Sequence, residues 1–133
     1  MSDFDSLLDS QSEHAEQNDA LMAITALPEI FAYRQNTGTA WQGKPVDVPP
    51  GEYVRVTPGM KILASARPID FGLKGAGDIT GHKRGRAFQI EMKTLTGEHK
   101  KHQEAFGRVW TQRGGIYILA RSGDDALSQI SKI

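Results

Sequence analysis

At 133 residues and 38% apolar side chains, the chain has room for a single domain with a real core; a disordered chain and two independent domains are both excluded by that arithmetic. Sixteen Lys and Arg balance sixteen Asp and Glu, yet six acids (Asp3, Asp5, Asp9, Glu13, Glu16, Asp19) and no base fall within residues 1–20, so the rest of the chain carries a basic surplus of six that suits a polyanionic partner. The lack of cysteine excludes disulfides, cysteine-based zinc sites and thiol nucleophiles, and with no bilayer-length apolar run and no signal-like start the expected location is cytoplasmic, with no membrane partner.

Residues 1–11 are polar and acidic and read as a disordered tail, leaving 12–133 as the folded domain. From Ser12 to Leu27 the recurrence of Ala20, Leu21, Ile24 and Leu27 predicts a helix, which Pro28 stops. Glu13, Gln17, Ala20, Ile24 and Leu27 share one face of it, so its polar end and its apolar end point the same way, from the core toward a site. Ile30–Arg34 reads as a short strand. Between Thr39 and Phe71 the PVDVPPG and TPG punctuation leaves Tyr53–Thr57 as the one firmly extended stretch, within a hairpin or irregular excursion. Glycine-dense FGLKGAGDITG follows at 71–81. In Ala87–Lys93, Phe88, Ile90 and Met92 alternate with Gln89, Glu91 and Lys93, which predicts a strand with one apolar and one polar face. Ala105, Phe106, Val109 and Trp110 place a helix over Glu98–Arg113, ended by Gly114 and Gly115. Ile116–Ala120 has the continuous apolar character of a strand buried on both faces, and Asp124–Ile130 reads as a last helix behind a Ser122/Asp125 capping box. Strand, helix, strand over 87–120 is a βαβ unit with parallel strands, so the fold class is α/β.

Asp78, Glu91 and Lys93 carry the chemistry. Glu91 and Lys93, two apart on a strand, project from one face, and Asp78 lies thirteen residues before Glu91, room for one strand and a turn back beside it. Two carboxylates suit a hard cation such as Mg²⁺ or Mn²⁺, and a neighbouring lysine can hold the attacking water and offset charge on a phosphodiester. The competing reading is a solvated Glu/Lys ion pair of little consequence, weakened by the buried character of the neighbouring strand. The run His82-Lys83-Arg84-Gly85-Arg86 and the pair Lys100-Lys101 flank the Glu91 strand and are expected to contact phosphates, with Arg34, Asn36 and Lys74 as further DNA-binding candidates. Gly72, Gly75 and Gly77 do not make a nucleotide loop, because DITGHKRGR opens no helix after them; they are expected to bring backbone close to DNA or metal. His99 and His102 lack companions for a zinc site and read as an exposed pair, while Trp110 reads as packing in phase with Phe106.

In order, Glu13, Asp78, Glu91-x-Lys93 and Gln103 resemble the PD-(D/E)XK nuclease superfamily. More narrowly, GLKGAGDITG, FQIEMKTLTG, KKHQEAF and RGGIYILARSGDDAL, with SEHAEQ and RQNTGTAW upstream, are similar to the stand-alone virus-type replication-repair nuclease (VRR-NUC) domain over residues 12–130. The resemblance implies a single domain with a mixed central sheet flanked by helices, and a metal-dependent phosphodiesterase acting on DNA, in some members on branched junctions as a homodimer. Asp78 takes the aspartate position, with Gly77 where the superfamily name has proline. Glu91 and Lys93 match the E-x-K pair, the Met92 carbonyl is an additional metal ligand, and Gln103 is the helical glutamine that braces the site. Glu13 is the first-helix acid by its spacing to Gln17, with Glu16 one turn away as the alternative.

These readings converge on a Mg²⁺- or Mn²⁺-dependent DNA endonuclease acting on Holliday junctions or flaps; the alternative is a DNA-binding module that keeps the fold without cleaving. Symmetric incision of a four-way junction needs two sites related by a two-fold axis, so a homodimer is expected. Its candidate interface is Thr39–Phe71, where Trp41, Val46, Val48, Tyr53, Val54 and Val56 would be out of place in a solvated loop; the alternative is that they complete the monomer's own sheet.

Overall fold

The alternating segment around Glu91 forms an interior strand of a four-stranded sheet. In a computed structural model describing residues 3–133, with side chains from His14 onward, the elements run α1 (Asp3–Thr25), β1 (Ile30–Arg34), β2 (Gly38–Pro45), β3 (Leu63–Phe71), β4 (Ile79–Lys83), β5 (Arg86–Met92), α2 (Lys101–Gln112), β6 (Ile116–Ala120) and α3 (Gly123–Ser131). Residues 3–36 and 72–133 form an α/β unit, and 37–71 form a second compact unit. Among the described residues, no helix is long and apolar enough to cross a membrane.

The α/β unit is built on a mixed four-stranded sheet in the order β1-β4-β5-β6. β1–β4 and β4–β5 are antiparallel, and β5–β6 is parallel, as a βαβ crossover through α2 requires. Arg84 and Gly85, both at positive φ, make the two-residue turn that joins β4 to β5. The period of two then sorts every side chain to one of two faces. One face carries Ile30, Ile79, Phe88, Ile90, Met92, Ile118 and Ala120, which pack against Ala20 and Ile24 of α1 and Ala126 and Ile130 of α3 to form the core. The other carries Phe31 and Tyr33 of β1, Thr80 and His82 of β4, and Gln89 and Glu91 of β5, paired across the registers.

α2 covers the β6 side of that second face. Gly107 lies so close to the Tyr117 ring that a Cβ would overlap it, and the Trp110 indole N–H donates to the Ile116 carbonyl at 3.0 Å. Trp110 stacks on Phe106 at 5.7 Å, the packing expected from their helical phase. β6 is accordingly buried toward the core at Ile118 and Ala120 and half-buried beneath α2 at Tyr117 and Leu119. Ser122 caps α3 by accepting from the Asp125 N–H, but Asp125 returns its bond to the N–H of Arg121 instead of closing a reciprocal box.

Three expectations change. α1 starts at Asp3 and not at Ser12: nothing before Pro28 breaks a helix, and extending one costs far less than nucleating it. The 37–71 unit is an antiparallel hairpin, as anticipated, but its second strand is Leu63–Phe71, with a register shift between Gln42 and Lys44. Tyr53–Thr57, expected to be extended, belongs to neither strand and is exposed, so its alternating valines have no partner strand within the unit to pair with.

Candidate active site

Register brings the two carboxylates to one end of the sheet. Ile79 faces Ile90, so the next position beyond that pair sets Asp78 of the β4 approach against Glu91 of β5. Asp78 Oδ2 accepts the Met92 N–H at 2.8 Å, and its backbone carbonyl accepts from Gln35 at 2.7 Å, so side chain and main chain are both fixed. The loop before it is anchored as well. The Gly77 N–H donates to Gln89 Oε1 at 2.6 Å, and a Cβ on Gly77 would stand 2.9 Å from the Ile90 carbonyl oxygen. Gly75, at φ +93°, lies against the His102 carbonyl of α2, where a Cβ would overlap it. These glycines bring backbone close to backbone, and a side chain at 75 or 77 would force the loop before Asp78 away from α2 or β5.

Glu91 is 2% exposed and Lys93 7%. Lys93 Nζ lies 3.4 Å from Glu91 Oε1, and the same oxygen accepts from Gln103 Nε2 of α2 at 2.6 Å. Gln103 is held in turn, because its Oε1 accepts the Lys100 N–H at the start of the helix, at 3.0 Å. One side chain thus satisfies an orphan donor of the helix terminus and orients a buried carboxylate, with each bond to a charged group worth about 1.5–3 kcal/mol. The solvated ion pair weighed from sequence is not what forms: this pair is desolvated and braced.

Around this pair lie Gln89, Tyr117 and Arg121, which the sequence does not mark as site residues, and His99. Gln89, buried beside Glu91 on the same face, donates toward Thr80 Oγ1 and Gln35 Oε1 and links the Asp78 loop to β1. Tyr117 sits next to Gln89 across the β5–β6 register; burial first, then the negative charges of Glu91 and Asp78, push its phenol well above the ordinary tyrosine value. Its hydroxyl is 3.0 Å from His99 Nε2, and the two rings stack at 5.8 Å. Burial lowers the His99 pKa below 6.5; Glu104 opposes this and Lys93 and Arg121 reinforce it. His99 is therefore not half of an exposed pair with His102, and the Tyr117–His99 contact joins two neutral groups at pH 7. Arg121 Nη1 donates to the carbonyls of Thr94 and Gly97, closing the loop that follows Lys93.

The basic candidates separate. Lys100 and Lys101 are exposed at the α2 N-terminus; Lys100, three residues before Gln103, shares its side of the helix, whereas Lys101, two before it, faces away, and Lys74 and Asn36 are exposed as well. Arg84 is exposed too, but in the turn at the opposite end of the β4–β5 hairpin from Asp78 and Glu91, about 20 Å from Asp78 at 3.4 Å per residue. Lys83 points into the core side and donates to the Ile130 and Ile133 carbonyls at 2.9 and 2.8 Å, where it neutralises the C-terminal end of α3. Arg34 also lies on the core side and binds α1 through His14 Nδ1 at 2.9 Å and Gln17 Oε1 at 3.1 Å. Both cations are engaged inside the fold and not at a phosphate rim. Glu16 accepts the Gly123 N–H at 3.2 Å at the start of α3; the side chain of Glu13 lies outside the described residues.

Among the described residues no three His, Cys, Asp or Glu side chains converge as a metal cluster. The donors at hand are oxygens: the Asp78 and Glu91 carboxylates and the Met92 carbonyl beside them, a set that fits a hard cation completing its shell with water and phosphate oxygens. Set against known proteins, the chain matches no family model and no curated protein.

Proposed function

We propose that the chain is a Mg²⁺- or Mn²⁺-dependent deoxyribonuclease with a PD-(D/E)XK-type core, similar to the VRR-NUC domain, acting on branched DNA as a homodimer. The observation that carries this reading is the meeting of Lys93 and Gln103 on one oxygen of buried Glu91, at 3.4 and 2.6 Å, with Asp78 across the strand register. A bound cation, held by Asp78, Glu91 and the Met92 carbonyl, would polarise the scissile phosphate and lower the pKa of a coordinated water. Lys93 holds the attacking water and offsets the charge that builds on the phosphate, Gln103 keeps Glu91 oriented, and Lys100 and Lys101 bind flanking phosphates. The test is incubation of purified protein with labelled four-way junction, flap and linear duplex in Mg²⁺, Mn²⁺ or EDTA, with sedimentation alongside. Metal-dependent incision of a branched substrate by a dimer is expected. Binding without incision in either metal would replace the reading with a non-cleaving DNA-binding module.

A further inference from the structure

The sheet face that carries Glu91 is covered by α2 only on its β6 side. Toward β1 it presents Phe31 and Tyr33, 61% and 55% exposed, with their rings edge to face at 6.2 Å, and Phe31 stacks on the exposed imidazole of His82 at 5.8 Å. His82 pairs with Ala87 across the β4–β5 register, and Ala87 lines a depression whose other wall is Trp110, Arg113, Gly114 and Gly115 at the end of α2. Tyr33, Phe31, His82, Ala87, Trp110 and Arg113 therefore form one track over the open half of the sheet, on the same face as Gln89 and Glu91.

We propose that this track binds unpaired nucleotides, so that the substrate of the site is DNA with a single-stranded segment, the flap rather than the fully paired duplex. The assignment of DNA rests on the nuclease reading; the stacking surface does not. Three observations select this occupant. Every large apolar side chain that β1, β4 and β5 send to this face is aromatic, with no Leu, Ile, Val or Met among them, whereas a protein-docking face would be expected to mix in aliphatics. The remaining positions there are Ala87 and the hydrogen-bonding groups Thr80, His82, Gln89 and Glu91. Exposed Arg84 in the hairpin turn and Arg113 by the depression supply cations for a backbone, the combination of ring platforms and positive charge that binds single strands without regard to sequence.

The experiment is fluorescence anisotropy in EDTA, on the full chain, with a labelled oligothymidylate and a blunt duplex of equal length. The wild type should bind the single strand more tightly than the duplex. Phe31→Ala and Tyr33→Ala should each weaken single-strand binding about tenfold and leave duplex binding within about twofold. Phe31→Trp should retain affinity, whereas Phe31→Leu, which keeps the apolar bulk and the fold, should not. Equal single-strand affinity in Phe31→Leu and wild type would overturn the proposal, as would self-association of the wild type that Phe31→Ala abolishes, since the face would then belong to a second copy. Single-strand binding that depends on Phe31, in a protein that cuts nothing in Mg²⁺ or Mn²⁺, would sustain the platform and defeat the nuclease reading. Duplex cleavage with no Phe31-dependent binding would defeat the platform alone.

Discussion

Replacing Lys93 by Met removes the ammonium 3.4 Å from Glu91 Oε1 while its four-atom stem volume is refilled, so the change is electrostatic and not a cavity. Glu91 is 2% exposed, and breaking one side of a buried pair generally costs about 3–5 kcal/mol. The Gln103 amide still donates to the same oxygen, so the expected loss sits at the lower end, about 3 kcal/mol near pH 8. Adding Glu91→Gln removes the charge and should bring the deficit to about 1 kcal/mol, so the double variant should be more stable than Lys93→Met alone. Urea unfolding followed by tryptophan fluorescence in EDTA, for wild type, both single variants and the double, measures all four corners. A Lys93→Met loss below about 1 kcal/mol would show that the pair is solvated, and the electrostatic argument for the site would fall with it.

Gln103→Ala deletes both the bond to Glu91 and the one to the Lys100 N–H and should destabilise by about 2–3 kcal/mol in the same assay, more than removal of an exposed glutamine would. His99→Gln should narrow the acid loss of stability: burial disfavours the charged imidazole, so the wild type is fully stabilised above about pH 6.5 and loses ground to the variant as pH falls toward 5, read as melting temperature against pH. Lys100→Ser with Lys101→Ser should flatten the log-log salt dependence of DNA binding by about one to two units. Lys83→Met should leave that slope unchanged and lower the melting temperature, because its ammonium serves the end of α3.

β5 was legible because its alternation is strict and its faces differ, and the position of Asp78 followed from counting one strand and one turn back from Glu91. The same parity carried information that was not used. Arg34 lies four residues after Ile30 and Lys83 four after Ile79, so both share a face with buried isoleucines, and a strand-face reading would have taken them from the phosphate rim into the fold. Tyr117 was read as part of an apolar run, yet it pairs with Gln89 and so faces the site. His99 had no such signal; its partner is eighteen residues away and is brought to it only by the packing of α2 on β6. The second strand of the hairpin was hidden by Pro68, which argues against a central strand and is tolerated in a two-stranded ribbon because each strand has an open edge.

Calorimetric titration of Mg²⁺ or Mn²⁺ into wild type, Asp78→Asn and Glu91→Gln, run beside cleavage of a labelled branched substrate, bears on the site most directly. Saturable binding with metal-dependent incision in the wild type, and loss of both in each variant whose fold is intact by circular dichroism, is the expected result. Incision by Asp78→Asn at the wild-type rate in saturating Mn²⁺ would contradict the assignment of the two carboxylates as the metal site.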